Sequence, residues 1–171
     1  TMELSTICDR ATLALKEIKG HYGGYVSVYD DVLGEQLKKE LMIVECMERA
    51  LEEEQFQVYF QPKHDLHTNV TGGAEALVRW THPELGFVSP GVFIPIFERN
   101  GFITRLDFYV WEKVCQELRR SIDQNLPLVP ISVNVSRLDF DVTDLAEQIT
   151  SMANRYGIDH SLLHIELTES A

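Results

Sequence analysis

The chain has 171 residues, 44% of them hydrophobic, which suits one ordinary globular domain or a part-domain with attachments. Its formal net charge of −12 disfavours non-specific binding to a nucleic-acid polymer or an anionic membrane, so an anionic ligand would need a local cationic or metal site. No apolar run approaches the roughly 20 residues of a membrane span and no signal-peptide pattern opens the chain, while Cys8, Cys46 and Cys115, widely spaced and without a CxxC pair, fit a reduced, cytoplasmic protein better than a disulfide framework or a zinc site.

Ile7, Ala11, Leu15 and Ile18 recur at helical spacing, with Gly20 as a stop. Tyr25-Val26-Ser27-Val28-Tyr29 reads as a short strand after the glycine turn at Gly23-Gly24. One helix and one strand bury little, so residues 1–30 read as the tail of a domain whose body lies elsewhere. A helix is predicted from about Leu33 to Gln55, within a linker over residues 31–55. Leu37, Leu41, Val44, Met47 and Leu51 form its apolar stripe, and Glu48, Glu52, Glu53 and Glu54 crowd its end. Such a helix packs on a neighbour, connects two domains or forms a dimer seam. From Phe56 onward strand and helix alternate. Strands are predicted at Phe56–Gln61, Gly73–Trp80, Val129–Ser136 and Leu163–Glu169, and helices at Pro90–Arg99, Thr104–Ser121 and Thr143–Tyr156. The alternation indicates an α/β fold with mostly parallel strands.

Side chains alternate across a strand, so each strand divides by face. Gln57, Tyr59 and Gln61 oppose Phe56, Val58 and Phe60; Glu75, Leu77 and Arg79 oppose Ala74, Ala76, Val78 and Trp80. Ser132, Asn134 and Ser136 oppose Ile131, Val133 and Val135; His164, Glu166 and Thr168 oppose Leu163, Ile165 and Leu167. One reading is a sheet with a single face in solvent. The other has crossover helices covering the apolar faces, so that the polar faces converge on an interior with Glu75, Asn134 and Glu166 near strand ends, where (β/α) barrels place their active sites. Two carboxylates and an amide oxygen are hard ligands that suit Mg²⁺ or Mn²⁺. Arg79, on the face of Glu75, could hold a phosphate bidentately.

The same residues carry a family resemblance. Gln61-Pro62, then Glu75-Ala76-Leu77-Val78-Arg79-Trp80 and His82-Pro83, resemble the opening of the EAL family. Phe93-Ile94-Pro95 with Glu98 and Gly101 resembles its next segment; Ser132-Val133-Asn134-Val135-Ser136 and Glu166-Leu167-Thr168-Glu169-Ser170 resemble two later blocks. The blocks occur in order over about Phe56–Ala171. The resemblance implies hydrolysis of cyclic di-GMP to the linear dinucleotide pGpG with two divalent metals. The implied fold is the N-terminal half of a modified TIM-like (β/α) barrel whose first strand runs antiparallel. Glu75, Asn134 and Glu166 match metal ligands, Gln61, Leu77 and Arg79 match substrate contacts, and Glu169 matches a glutamate that steadies an active-site loop. Residues 1–30 resemble the end of a GGDEF, or diguanylate cyclase, domain, and residues 56–171 a partial EAL domain.

Two departures stand out. Lys63-His64 replaces the apolar pair usual after Gln-Pro, which bears on packing or on the mouth of the site. His64, His67 and His82 show no joint metal-binding spacing. The family's Asp-Asp-Phe-Gly block, downstream lysine and general-base glutamate are not in the sequence, so these 171 residues alone are expected to be inactive. The parent reads as a phosphodiesterase; alternatives are a catalytically silent cyclic di-GMP receptor and a regulatory or dimerising module. An open edge at the last strand, together with the helix stripe, predicts a homodimer or higher assembly.

Overall fold

A computed structural model describes residues 3–18 and 28–167. These form two compact units, Thr1–Cys46 and Met47–Ala171. The strand expected at Tyr25–Tyr29 falls largely outside the described residues, as do Gly20, Gly23 and Gly24.

In the first unit, α1 spans Leu4–Ile18. The guanidinium of Arg10 stacks on the Tyr29 ring, 4.9 Å from its centroid. The next helix, α2, runs Asp31–Glu52 and crosses from one unit into the other. Asp30 caps it, its carboxylate accepting from the Leu33 amide at 2.8 Å. The buried residues of α2 are not those of the expected stripe. Ile43, Cys46 and Ala50 are buried, whereas Leu41 and Val44 are exposed and Leu37, Met47 and Leu51 lie between. Two apolar ridges run side by side on this helix, and periodicity alone does not rank them. The ridge with the smaller side chains is the one that packs.

The second unit is built on a sheet of order β1-β2-β4-β5, with β3 paired to β2. Strands β1 (Phe56–Asp65) and β2 (Val70–His82) form an antiparallel hairpin. Asp65 shapes the turn: its carboxylate accepts from the amides of His67 at 2.7 Å and Thr68 at 3.1 Å. Pro62 is tolerated within β1 because, among the described residues, the strand pairs on one side only. The hairpin from β2 to β3 (Gly86–Val88) was not expected from the sequence. It turns at Gly86, whose φ is 66°, and the buried His82 Nδ1 accepts from the Glu84 and Leu85 amides, so His82 serves the turn.

Helices α3 (Pro90–Asn100) and α4 (Ile103–Asp123) follow, then β4 (Ile131–Val135), α5 (Leu145–Arg155) and β5 (Leu163–Leu167). Pro90 sits in the first turn of α3, where its missing N–H costs nothing, and Gly101 at φ 80° ends the helix. Strands β2, β4 and β5 are parallel to one another, and β1 and the short β3 run against β2. This is the mixed α/β architecture expected from the alternation. Phe56, Trp80, Phe93 and Phe97 form the aromatic centre of the core, with ring centroids 5.0–6.0 Å apart. On β4, Ile131, Val133 and Val135 are buried as expected. On β5, Ile165 and Leu167 remain exposed, because β5 pairs only with β4 among the described residues.

Candidate functional site

Registry between the strands assembles the polar residues. Gln61 lies opposite Glu75 in the antiparallel pair. Glu75 lies opposite Ser132, and Asn134 opposite Glu166, in the parallel pairs. The side chains meet accordingly: the Asn134 amide Nδ2 donates to Glu75 Oε1 at 3.2 Å. Both residues are half-buried, as is Glu166. The position of Asn134 is fixed from behind by α4, where the indole of buried Trp111 donates to the Asn134 carbonyl oxygen at 3.0 Å.

Lys63 enters this group from β1. Its ammonium pairs with Glu166 Oε1 on β5 and donates to Ser132 Oγ on β4 at 2.9 Å. The neighbouring ammonium and the Ser132 hydroxyl hold the Glu166 carboxyl below its ordinary range. A signal for this was present in the sequence, since Lys63 shares strand parity with Gln61. His64, by contrast, turns to Thr71, with Nδ1 3.3 Å from the hydroxyl.

Leu77 and Arg79 lie further along β2, beside a cavity of about 140 Å³ that Asn134, Glu98 and Asp107 also line. The Arg79 guanidinium is half-buried and donates to the Val78 carbonyl oxygen at 2.9 Å. Asp107, on α4, was not anticipated. Burial, together with the adjacent Asp139, pushes its carboxyl up to about 9. Asp139 is completely buried; its Oδ2 accepts from the Ser136 amide at 2.7 Å, and Oδ1 has no hydrogen-bond partner among the described residues. With Asp139 beside it, a protonated Asp107 could donate to that oxygen. Glu169 lies outside the described residues.

The donor chemistry of Glu75, Asn134 and Glu166 fits a hard divalent cation. Among the described residues no three His, Cys, Asp or Glu side chains gather to hold a metal by themselves. That a lysine ammonium already lies against Glu166 shows that cationic charge is favoured at this point of the face.

Residues 45–171 match the EAL domain. The chain belongs to the EAL family. Its Glu75-Ala76-Leu77 supplies one candidate ligand and two residues of the adjoining cavity. Over 143 residues this EAL chain is 35% identical to "Cyclic di-GMP phosphodiesterase PA2567" of Pseudomonas aeruginosa, covering 83% of the chain and 24% of that protein. Over 142 residues it is 30% identical to "Bifunctional diguanylate cyclase/cyclic di-GMP phosphodiesterase MucR" of the same organism, covering 83% of the chain and 21% of that protein. The fold resembles the solved "PaMucR Phosphodiesterase, c-di-GMP complex" with a TM-score of 0.70 at 32% identity, over 75% of this chain and 52% of that one. The chain thus spans less than a quarter of either curated relative, and about half of that solved EAL structure.

Proposed function

We propose that the protein carrying this EAL domain hydrolyses cyclic di-GMP to pGpG, with Mg²⁺ or Mn²⁺ held in part by Glu75, Asn134 and Glu166. The observation that carries the reading is the meeting of these hard donors on adjacent parallel strands, in a chain whose relatives are named as cyclic di-GMP phosphodiesterases. When bound, a divalent ion polarises a phosphoryl oxygen and acidifies water. The chain's own residues supply the rest. Glu75 and Glu166 contribute the negative charge that retains the cation. Arg79 offers a planar set of donors to a phosphate, once released from the Val78 carbonyl. Gln61, exposed on β1 opposite Glu75, and Leu77 contact the remainder of the dinucleotide. Glu169 steadies an adjoining loop. Because three ligands make only part of a two-metal clamp, the 171 residues alone are expected to be inactive.

The test is hydrolysis of cyclic di-GMP by the full-length protein in Mn²⁺, with loss on chelation. Turnover that survives chelation, or none in any divalent ion, counts against the reading. One observation favours a metal-free cyclic di-GMP receptor as the second reading: Lys63 already provides cationic charge among the candidate ligands. Equilibrium binding in EDTA, with no turnover in metal, identifies that case.

Residues 1–30 are proposed as the end of a GGDEF domain and residues 31–55 as a linker; support comes from the relative whose name joins diguanylate cyclase to phosphodiesterase. A cytoplasmic location rests on the three scattered cysteines. No helix among the described residues is long and apolar enough to cross a membrane. Homodimerisation is proposed through the one-sided strand β5, where Ile165 and Leu167 are exposed, or through α2. Light scattering at micromolar concentration measures it.

A further inference from the structure

Lys63 stands on the first strand, yet its ammonium contacts residues of β4 and β5. Three strand spacings separate β1 from β5, about 14 Å on a flat sheet, so the contact reports an inward curl of the sheet with the lysine stretched across its concave side. The residue opposite Lys63 in the hairpin is Gly73, which has no side chain to obstruct the stem. Gly73 is also closely packed on its other side: a Cβ there would lie 3.0 Å from the Pro130 carbonyl oxygen. At its far end the ammonium meets one carboxylate and one hydroxyl. Glu166 is the candidate ligand on β5, and Ser132 lies opposite Glu75, the candidate ligand on β2. A monovalent cation on a four-carbon tether thus occupies the point of the face with the strongest claim on a divalent one.

We propose that Lys63 is a tethered counter-ion: it holds Glu166 in the metal-free domain and must leave it before a divalent cation can bind there, so that Lys63 sets the metal affinity of the site. The inference rests on the assignment of Glu75, Asn134 and Glu166 as metal ligands. Chemically it follows from charge. An unpaired Glu166 would face Glu75 across β4, so the lysine lowers the cost of keeping two carboxylates in the metal-free fold. An ammonium against Glu166 Oε1 neutralises the charge that would draw a divalent cation, and a lysine that stayed in place would repel that cation. Lys63 and Glu166 are each about 40% exposed in their side chains, so solvent screens the pair and the barrier to exchange is modest. The site is throttled, not blocked.

Calorimetric titration of Mn²⁺ into the full-length protein and its Lys63→Met and Lys63→Arg variants tests this. Lys63→Met should bind Mn²⁺ about fivefold more tightly, the scale set by losing one exposed ion pair, and Lys63→Arg should stay near the parent. Equal or weaker binding by Lys63→Met, with the parent binding normally, overturns the inference and leaves the ligand assignment standing. No binding by the parent or by either variant overturns both. Tight binding by Lys63→Met alone supports the inference in its strongest form. A second measurement needs no variant: acetylation of Lys63 in the parent, read by peptide mass spectrometry, should accelerate severalfold when Mn²⁺ is added. An unchanged rate at saturating Mn²⁺ overturns the inference even if Lys63→Met fails to fold.

Discussion

Asn134 and Glu75 lie on neighbouring parallel strands, and the amide nitrogen of one donates to a carboxylate oxygen of the other at 3.2 Å. Trp111 locks the Asn134 backbone from the opposite side of the sheet. The pair is therefore set by the fold, as the proposed metal site requires. Replacing Glu75 with Ala should lower cyclic di-GMP turnover by more than about 100-fold, beyond the losses typical of residues that only support a ligand. Steady-state hydrolysis by the full-length protein is the measurement, with circular dichroism to show that the variant folds. Near-parental turnover would remove Glu75 from the metal site.

Arg79 should act differently. Its guanidinium is half-buried beside the cavity that Asn134 also lines, and it donates to a backbone carbonyl that a phosphate can replace. Arg79→Ala should raise KM by about 10- to 100-fold, the worth of hydrogen bonds to a charged group, with a smaller effect on kcat. A kcat loss at unchanged KM would place Arg79 outside substrate binding.

The aromatic centre should dominate the stability of the second unit. Phe93 is completely buried and meets Phe56, Trp80 and Phe97 at centroid distances of 5.5–5.8 Å. Phe93→Ala should cost about 3–5 kcal/mol in urea unfolding, since the removed ring leaves a cavity that three other rings cannot close. A cost under 1 kcal/mol would mean that this core collapses around the gap.

The strands that build the site were legible because their alternation is strict. Glu75, Asn134 and Glu166 each lie within a strand predicted on the correct face, and hydrogen bonding now connects the first two. Lys63 shows where that logic stopped short. The predicted first strand ended at Gln61, whereas pairing continues to Asp65 and carries the lysine onto the same face. Pro62 directly follows the predicted end, and an edge strand accommodates it. The α2 stripe failed for another reason: two apolar ridges compete on one helix, and the choice belongs to whatever packs against it. Asp107 was invisible, because nothing local distinguishes a buried acid in an amphipathic helix from a solvated one, whereas Asp139 lies three residues after Ser136 in a short capped turn whose burial the local sequence does not show.

That buried pair yields a prediction about pH. The Asp107 carboxyl, desolvated and set against Asp139 with Glu98 adding further negative charge, is pushed from an ordinary 3.8 up to about 9. The folded state thus binds this proton far more tightly than the unfolded chain. Its contribution to stability is complete below about pH 4 and is lost progressively as pH rises toward 9. The carboxyls whose values are lowered on folding, Asp65, Asp159 and Glu166, act with the opposite sign but only in the acid range, below their ordinary values of 3.8 to 4.5. Between pH 5 and 8.5 the Asp107 proton should therefore prevail among these groups, with a loss of at least about 1 kcal/mol. Asp107→Asn keeps an N–H donor for Asp139 Oδ1 but takes up no proton, so its stability should be nearly level over the same range. Urea midpoints at pH 5, 7 and 8.5 for both proteins make the comparison. Parallel pH profiles would show that Asp107 is already ionised in the folded domain, and that Asp139 finds its partner elsewhere.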